Sequence, residues 1–117
     1  MEVQVFGIQN HAEVRKALRY FAERRIKVHF VDFKIRGPAL GELKRFADKF
    51  GVEALVDRQS KRFSALGLGP ARYGDARWLE ILVDEPLILN LPLVRAGTKL
   101  SIGPNEPAWA DWIAAAK

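Results

Sequence analysis

Near the start of the chain the apolar side chains change their spacing twice. Val3 and Val5 alternate with Glu2 and Gln4, the two-residue period of a half-buried strand, and Gly7 and Asn10 then interrupt the run as a turn. Val14, Ala17, Leu18, Phe21 and Ala22 follow at steps of three and four, with Arg15, Lys16, Arg19 and Glu23 on the other faces, which predicts an amphipathic helix. Asn10 is its expected cap: an Asn side chain there accepts from one of the first backbone amides, and the amides left over attract anions. Arg24 and Arg25 stand where cations favour a helix C-terminus, and Lys27 to Phe33, KVHFVDF, returns to strand alternation with β-branched and aromatic content. The opening therefore reads β-α-β, with parallel strands and a right-handed crossover, as in an α/β core.

Gly37 and Pro38 break the chain before Leu40, Leu43, Phe46, Ala47 and Phe50, which are spaced for one buried helical face with Gly51 placed to end it. Val52 to Val56 reads as a short helical turn, Asp57 to Ser60 as a polar loop and Lys61 to Leu66 as another short helix. Trp78, Leu79 and Leu82 form the apolar face of a helix over Asp75 to Val83, which stops before Pro86, while Leu87 to Leu89 fits no single element. Pro92 to Ala96 and Lys99 to Ile102 flank Gly97 and Thr98 as an antiparallel hairpin. Asn105 then caps a last helix whose buried face is Trp109, Trp112 and Ile113, with fraying expected over Ala114 to Lys117. A single domain over residues 1–117 follows: β-α-β over 1–34, a helical insertion over 38–90, and the hairpin with its helix over 91–117.

Composition narrows the chemistry more than the fold. The 117 residues, 49% of them hydrophobic, suit one core, and no apolar run approaches bilayer length. A soluble cytoplasmic protein without membrane contact is the expectation. There is no cysteine, which removes disulfides and every thiol-based reaction from the chain's own repertoire. The net charge of +5 favours anionic partners, but only Arg24, Arg25 and Lys27, and then Arg58, Lys61 and Arg62, are dense basic clusters. Both read as solvated surface, and no RNA-binding aromatic signature accompanies them, so nucleic acid is a third-ranked partner. His29 is the only histidine besides His11, and no acidic cluster has ligand spacing. No metal and no cofactor are expected.

Three separated motifs in the right order carry a resemblance. GIQNHAEVRKAL from Gly7, ALVDRQSKRFSALGL from Ala54 and EPLILNLPLVRAGTKLSIG from Glu85 are similar to the opening, the central loop and the hairpin of the arsenate reductase family, which includes the Spx-like transcription regulators. The resemblance implies a thioredoxin-like (glutaredoxin-like) α/β fold, with a mixed four-stranded sheet and a helical insertion. It also implies that Pro92 is a cis proline facing the helix start, and that Arg95 lies near the same edge. His11 stands where reductases of the family carry their nucleophilic cysteine, and Val14 where Spx-like members carry a second one. Gln59 replaces the usual loop arginine, with Arg58 beside it as a compensating cation, and Leu91 replaces the arginine before the hairpin proline.

Reduction of arsenate through a thiol needs a sulfur that attacks arsenic and then enters a disulfide, a cycle closed to imidazole. Anion binding is not closed, since it needs only amides and cations. The expected function is thus a non-redox binding or regulatory module whose surface comprises Asn10, His11, Arg15, Arg58, Pro92 and Arg95. Its partner would be a protein, RNA polymerase by analogy with Spx-like regulators, or a small oxyanion. The alternatives are an enzyme that uses His11 as base or nucleophile on an anionic substrate, and a nucleic-acid-binding module.

Overall fold

The alternation at the N-terminus forms a strand with Val3 and Val5 turned into the core. In the computed structural model, which describes residues 1–116, the elements run β1 (Glu2–Gly7), α1 (Ala12–Glu23), β2 (Lys27–Asp32), α2 (Leu40–Phe50), α3 (Val52–Leu55), α4 (Lys61–Ala65), α5 (Asp75–Asp84), a 3-10 turn (Pro86–Ile88), β3 (Leu93–Ala96), β4 (Lys99–Ile102) and α6 (Glu106–Ala116). They group into two compact units: Met1–Arg36 with the chain from Leu91 onward, and Gly37–Asn90.

The first unit holds one mixed sheet in the order β2-β1-β3-β4. β1 and β2 are parallel, in register from Glu2 opposite Lys27 to Gly7 opposite Asp32, so both strands run out at the same end of the sheet. β3 is antiparallel to β1, with Leu93 opposite Phe6 and Arg95 opposite Gln4, and β4 closes the hairpin on β3. Val3, Val5 and Val94 from the sheet meet Ala17, Tyr20 and Phe21 of α1 and Trp109 and Trp112 of α6 in a single core cluster. Trp109 lies 5.2 Å from Phe21 and 5.4 Å from Tyr20 between ring centroids, and its Nε1–H donates to Ser101 Oγ at 2.8 Å, so the buried indole has its partner.

The buried stripe of α1 is Val14, Ala17, Tyr20 and Phe21; Ala22, expected inside, is exposed, and Leu18 is half-buried. The steps from Ala17 to Tyr20 and Phe21 are those of one helical face, and Tyr20 joins it because only its hydroxyl is polar. Gly7 is needed where β1 meets α1, since a Cβ there would sit 2.5 Å from Val14 Cγ2. Beyond α1, Arg25 takes φ 58°, and the Ile26 N–H returns to Phe21 O at 3.0 Å to close the helix end. Asn105 caps α6 as expected, its Oδ1 accepting the Ala108 N–H at 3.2 Å.

In the second unit α2 buries Leu43 and Phe46, whereas Leu40 and Phe50 stay 51% and 42% exposed, a narrower stripe than the spacing predicts. Gly51, at φ 87°, ends the helix as expected. Ser60 Oγ caps α4 by accepting the Phe63 N–H at 3.1 Å, and Phe63 stacks on Trp78 of α5 at 6.5 Å. The ambiguous stretch after Pro86 is the 3-10 turn followed by a bridge of Leu89 to Val56. Arg62 clasps Glu85 through Nε and Nη2 at 2.9 and 2.8 Å, and that hydrogen bonding holds the Glu85 carboxyl below its ordinary range. No helix among the described residues is long and apolar enough to cross a membrane.

Candidate functional site

β1 ends at Gly7, and residues 8–11 turn the chain into α1. The His11 N–H donates to Ile8 O at 3.0 Å, which closes a turn over Gln9 and Asn10 and leaves both outside the helix. The cap therefore falls one residue later than expected, on His11 rather than Asn10. His11 has φ −78° and ψ 129°, and its Nδ1 accepts the Glu13 N–H at 3.2 Å. A pyridine-type ring nitrogen is an acceptor, so imidazole satisfies one of the amides that every helix start leaves open. A neutral ring bonded in this way carries its hydrogen on Nε2 and presents a donor there, not a base. Among the described residues no carboxylate oxygen bonds to the ring.

The amide that was expected to face an anion is thus partly sealed by the chain itself. The positive surface lies to one side, where Gln9, Asn10, Arg15 and Lys34 line an open depression of about 400 Å³. The parallel register explains how Lys34 arrives: β2 ends at Asp32 beside Gly7, and the Phe33 N–H donates to Gly7 O at 2.8 Å, so the loop after β2 emerges next to the loop after β1. Asp32 Oδ1 is turned to the Lys34 N–H at 3.0 Å, within its own loop. Arg15 and Lys34 have no ion pair among the described residues, and no carboxylate lines the depression. Two cations and two side-chain amides can hold a tetrahedral oxyanion or a carboxylate through charge-assisted hydrogen bonds.

The remaining expected residues lie at several places. The Leu91–Pro92 bond is cis, and buried Pro92 directly precedes Leu93, the partner of Phe6, at the end of the sheet from which the α1 loop departs. Arg95, expected at this edge, pairs with Gln4 because antiparallel β3 runs away from it; Gln4 is three strand steps from Gly7, roughly 10 Å. Its Nε–H donates to Gly97 O at 2.9 Å, and it lines a separate depression with Gln4 and His29. Arg58 is engaged inside the second unit, where its Nε and Nη2 hold the Glu53 carboxylate at 2.9 to 3.2 Å and its guanidinium lies 5.5 Å from the Phe63 ring. It is not a free compensating cation. Lys34 and Gln9 are absent from the sequence expectation, although the parallel β-α-β reading already implied that the two strand-end loops share one end of the sheet.

A helix between two parallel strands, a hairpin entered through a cis proline and a last helix packed with the first define a protein of the thioredoxin-like class. Within it, the chain belongs to the ArsC family, whose family model matches residues 6–112. It is similar to an uncharacterized protein of Haemophilus influenzae, 29% identical over 105 residues that cover 89% of this chain and 92% of that one. An arsenate reductase of Neisseria meningitidis is 27% identical over 105 residues, covering 87% of this chain and 90% of that protein. Among solved structures, a YFFB protein superposes with a TM-score of 0.87 at 22% identity, covering 93% and 96% of the two chains. An ArsC-family related protein from Bacteroides fragilis follows with 0.84 at 16% identity, covering 95% and 97%.

Proposed function

We propose that this ArsC-family chain is a non-redox binding module that takes a small oxyanion, or the anionic group of a protein partner, at the loop between β1 and α1. The observation that carries this reading is the depression walled by Arg15, Lys34, Gln9 and Asn10, which among the described residues holds two cations without an ion pair and no carboxylate. Relatives from Neisseria bear the name arsenate reductase. Here the chain has no sulfur except that of Met1, and by the resemblance His11 stands where the family's nucleophilic thiol is expected. An imidazole cannot pass through a mixed disulfide, so a reductase cycle has nothing to run on. On this proposal anion recognition is kept but displaced from the helix amides to the neighbouring side-chain cations.

A regulatory role follows when the bound anion belongs to a protein, and a partner would then be lost together with the cations. The enzyme reading draws less support, because His11 Nδ1 is committed to the Glu13 amide and nothing acidic orients the ring. Thermal-shift titration with phosphate, sulfate and arsenate tests the proposal. The wild type should be protected by all three, Arg15→Ala and Lys34→Ala should each lose most of that protection, and arsenate with glutathione should give no turnover. Equal protection of wild type and both variants, or protection of none, contradicts it.

A further inference from the structure

The opposite end of α1 carries a second concavity of different character. Tyr20, Arg24, Ile26, Ala110, Ile113 and Ala114 line a groove of about 480 Å³ between the end of α1, the start of β2 and the last turns of α6. Its size and mainly apolar walls with a few polar groups are those of a small-molecule site. Tyr20 is only 7% exposed, but its hydroxyl is not sealed from solvent and makes no hydrogen bond to any described residue, so it can donate to or accept from a ligand in the groove. Arg24 lies over the Tyr20 ring, with Cζ 3.6 Å from the centroid, and spends one Nη1–H on Tyr20 O at 3.0 Å. It has no ion pair among the described residues, and a guanidinium has five N–H groups, so donors remain for a ligand.

We propose that this groove binds a small carboxylate with an apolar body. The carboxylate meets Arg24 and the Tyr20 hydroxyl, where a charge-assisted contact satisfies both, and the hydrocarbon lies along Ile26 and Ile113. Ala110 and Ala114 leave the α6 side open, since larger residues on those turns would fill the space. Because the groove lies at the far end of α1 from Arg15, it is independent of the anion site proposed above.

Calorimetric titration of the full chain with octanoate, and with octan-1-ol as the uncharged control, tests the proposal. Octanoate should bind and octan-1-ol should bind at least about tenfold more weakly, the value of a charged hydrogen bond. Arg24→Gln should lower octanoate affinity by about tenfold and Tyr20→Phe by about fivefold. Ala114→Leu, at an exposed helix position, should block the groove while leaving the circular dichroism spectrum and the phosphate response unchanged. Equal binding of octanoate and octan-1-ol, no binding of octanoate at millimolar concentration, or full binding by the folded Ala114→Leu variant would overturn the assignment.

Discussion

At its first turn α1 meets solvent with a ring cap, two turn residues and two unpaired cations; at its last turn, about 18 Å away, it is walled by aromatic rings and by α6. The first end is built by local chemistry. The backbone turn over Gln9 and Asn10 decides which residue caps, and His11 then supplies the acceptor from its own side chain. The second end is built by tertiary packing, because Tyr20 and Phe21 are held by Trp109, far along the chain. Substitutions of the cations at the first end should therefore alter the phosphate response with little loss of stability, and those in the aromatic cluster at the second should lower stability and leave the phosphate response unchanged.

The largest effect expected is at the packed end. Phe21→Ala removes a fully buried ring against Trp109 and should cost about 3–5 kcal/mol in chemical denaturation. A loss below about 1 kcal/mol would mean that the aromatic cluster is not what holds α1 to the sheet. Next is Gly7→Ala, where the new methyl meets Val14 and should cost roughly 1–3 kcal/mol, seen as a lower denaturation midpoint at unchanged slope. His11→Ala removes the cap and should cost about 1 kcal/mol, with His11→Ser restoring most of it. If His11→Ala and His11→Ser are equally unstable, the ring serves something other than the Glu13 amide. Smallest in stability is Arg15→Ala with Lys34→Ala, expected within about 0.5 kcal/mol of wild type because both are exposed and unpaired.

The sequence made the architecture legible wherever local pattern and tertiary context agree. Val3 and Val5, the step of three and four through Phe21, Gly51 after α2, and the turn at Gly97 each name an element that the structure contains. It failed where a neighbour in space decides. The cap moved from Asn10 to His11 because the Ile8–His11 hydrogen bond, which no propensity encodes, places the turn. Tyr20 entered the core because α6 arrives beside it, and Arg95 left the expected edge because antiparallel pairing sets direction as well as partner. Lys34 joined Arg15 through the register of β1 with β2, a fact about two strands that neither strand's composition states. The family motifs located His11 at once; that the ring closes the helix instead of meeting an anion depends on a single backbone amide.

In the proposed function, anion recognition at this corner belongs to Arg15 and Lys34 while His11 caps the helix. Phosphate titration followed by backbone amide NMR compares wild type, His11→Ala and the Arg15→Ala/Lys34→Ala double variant. Saturable shifts at Asn10, Arg15 and Lys34 are expected in the wild type and in His11→Ala, with their loss in the double variant. Shifts that vanish in His11→Ala and survive without the two cations would contradict it.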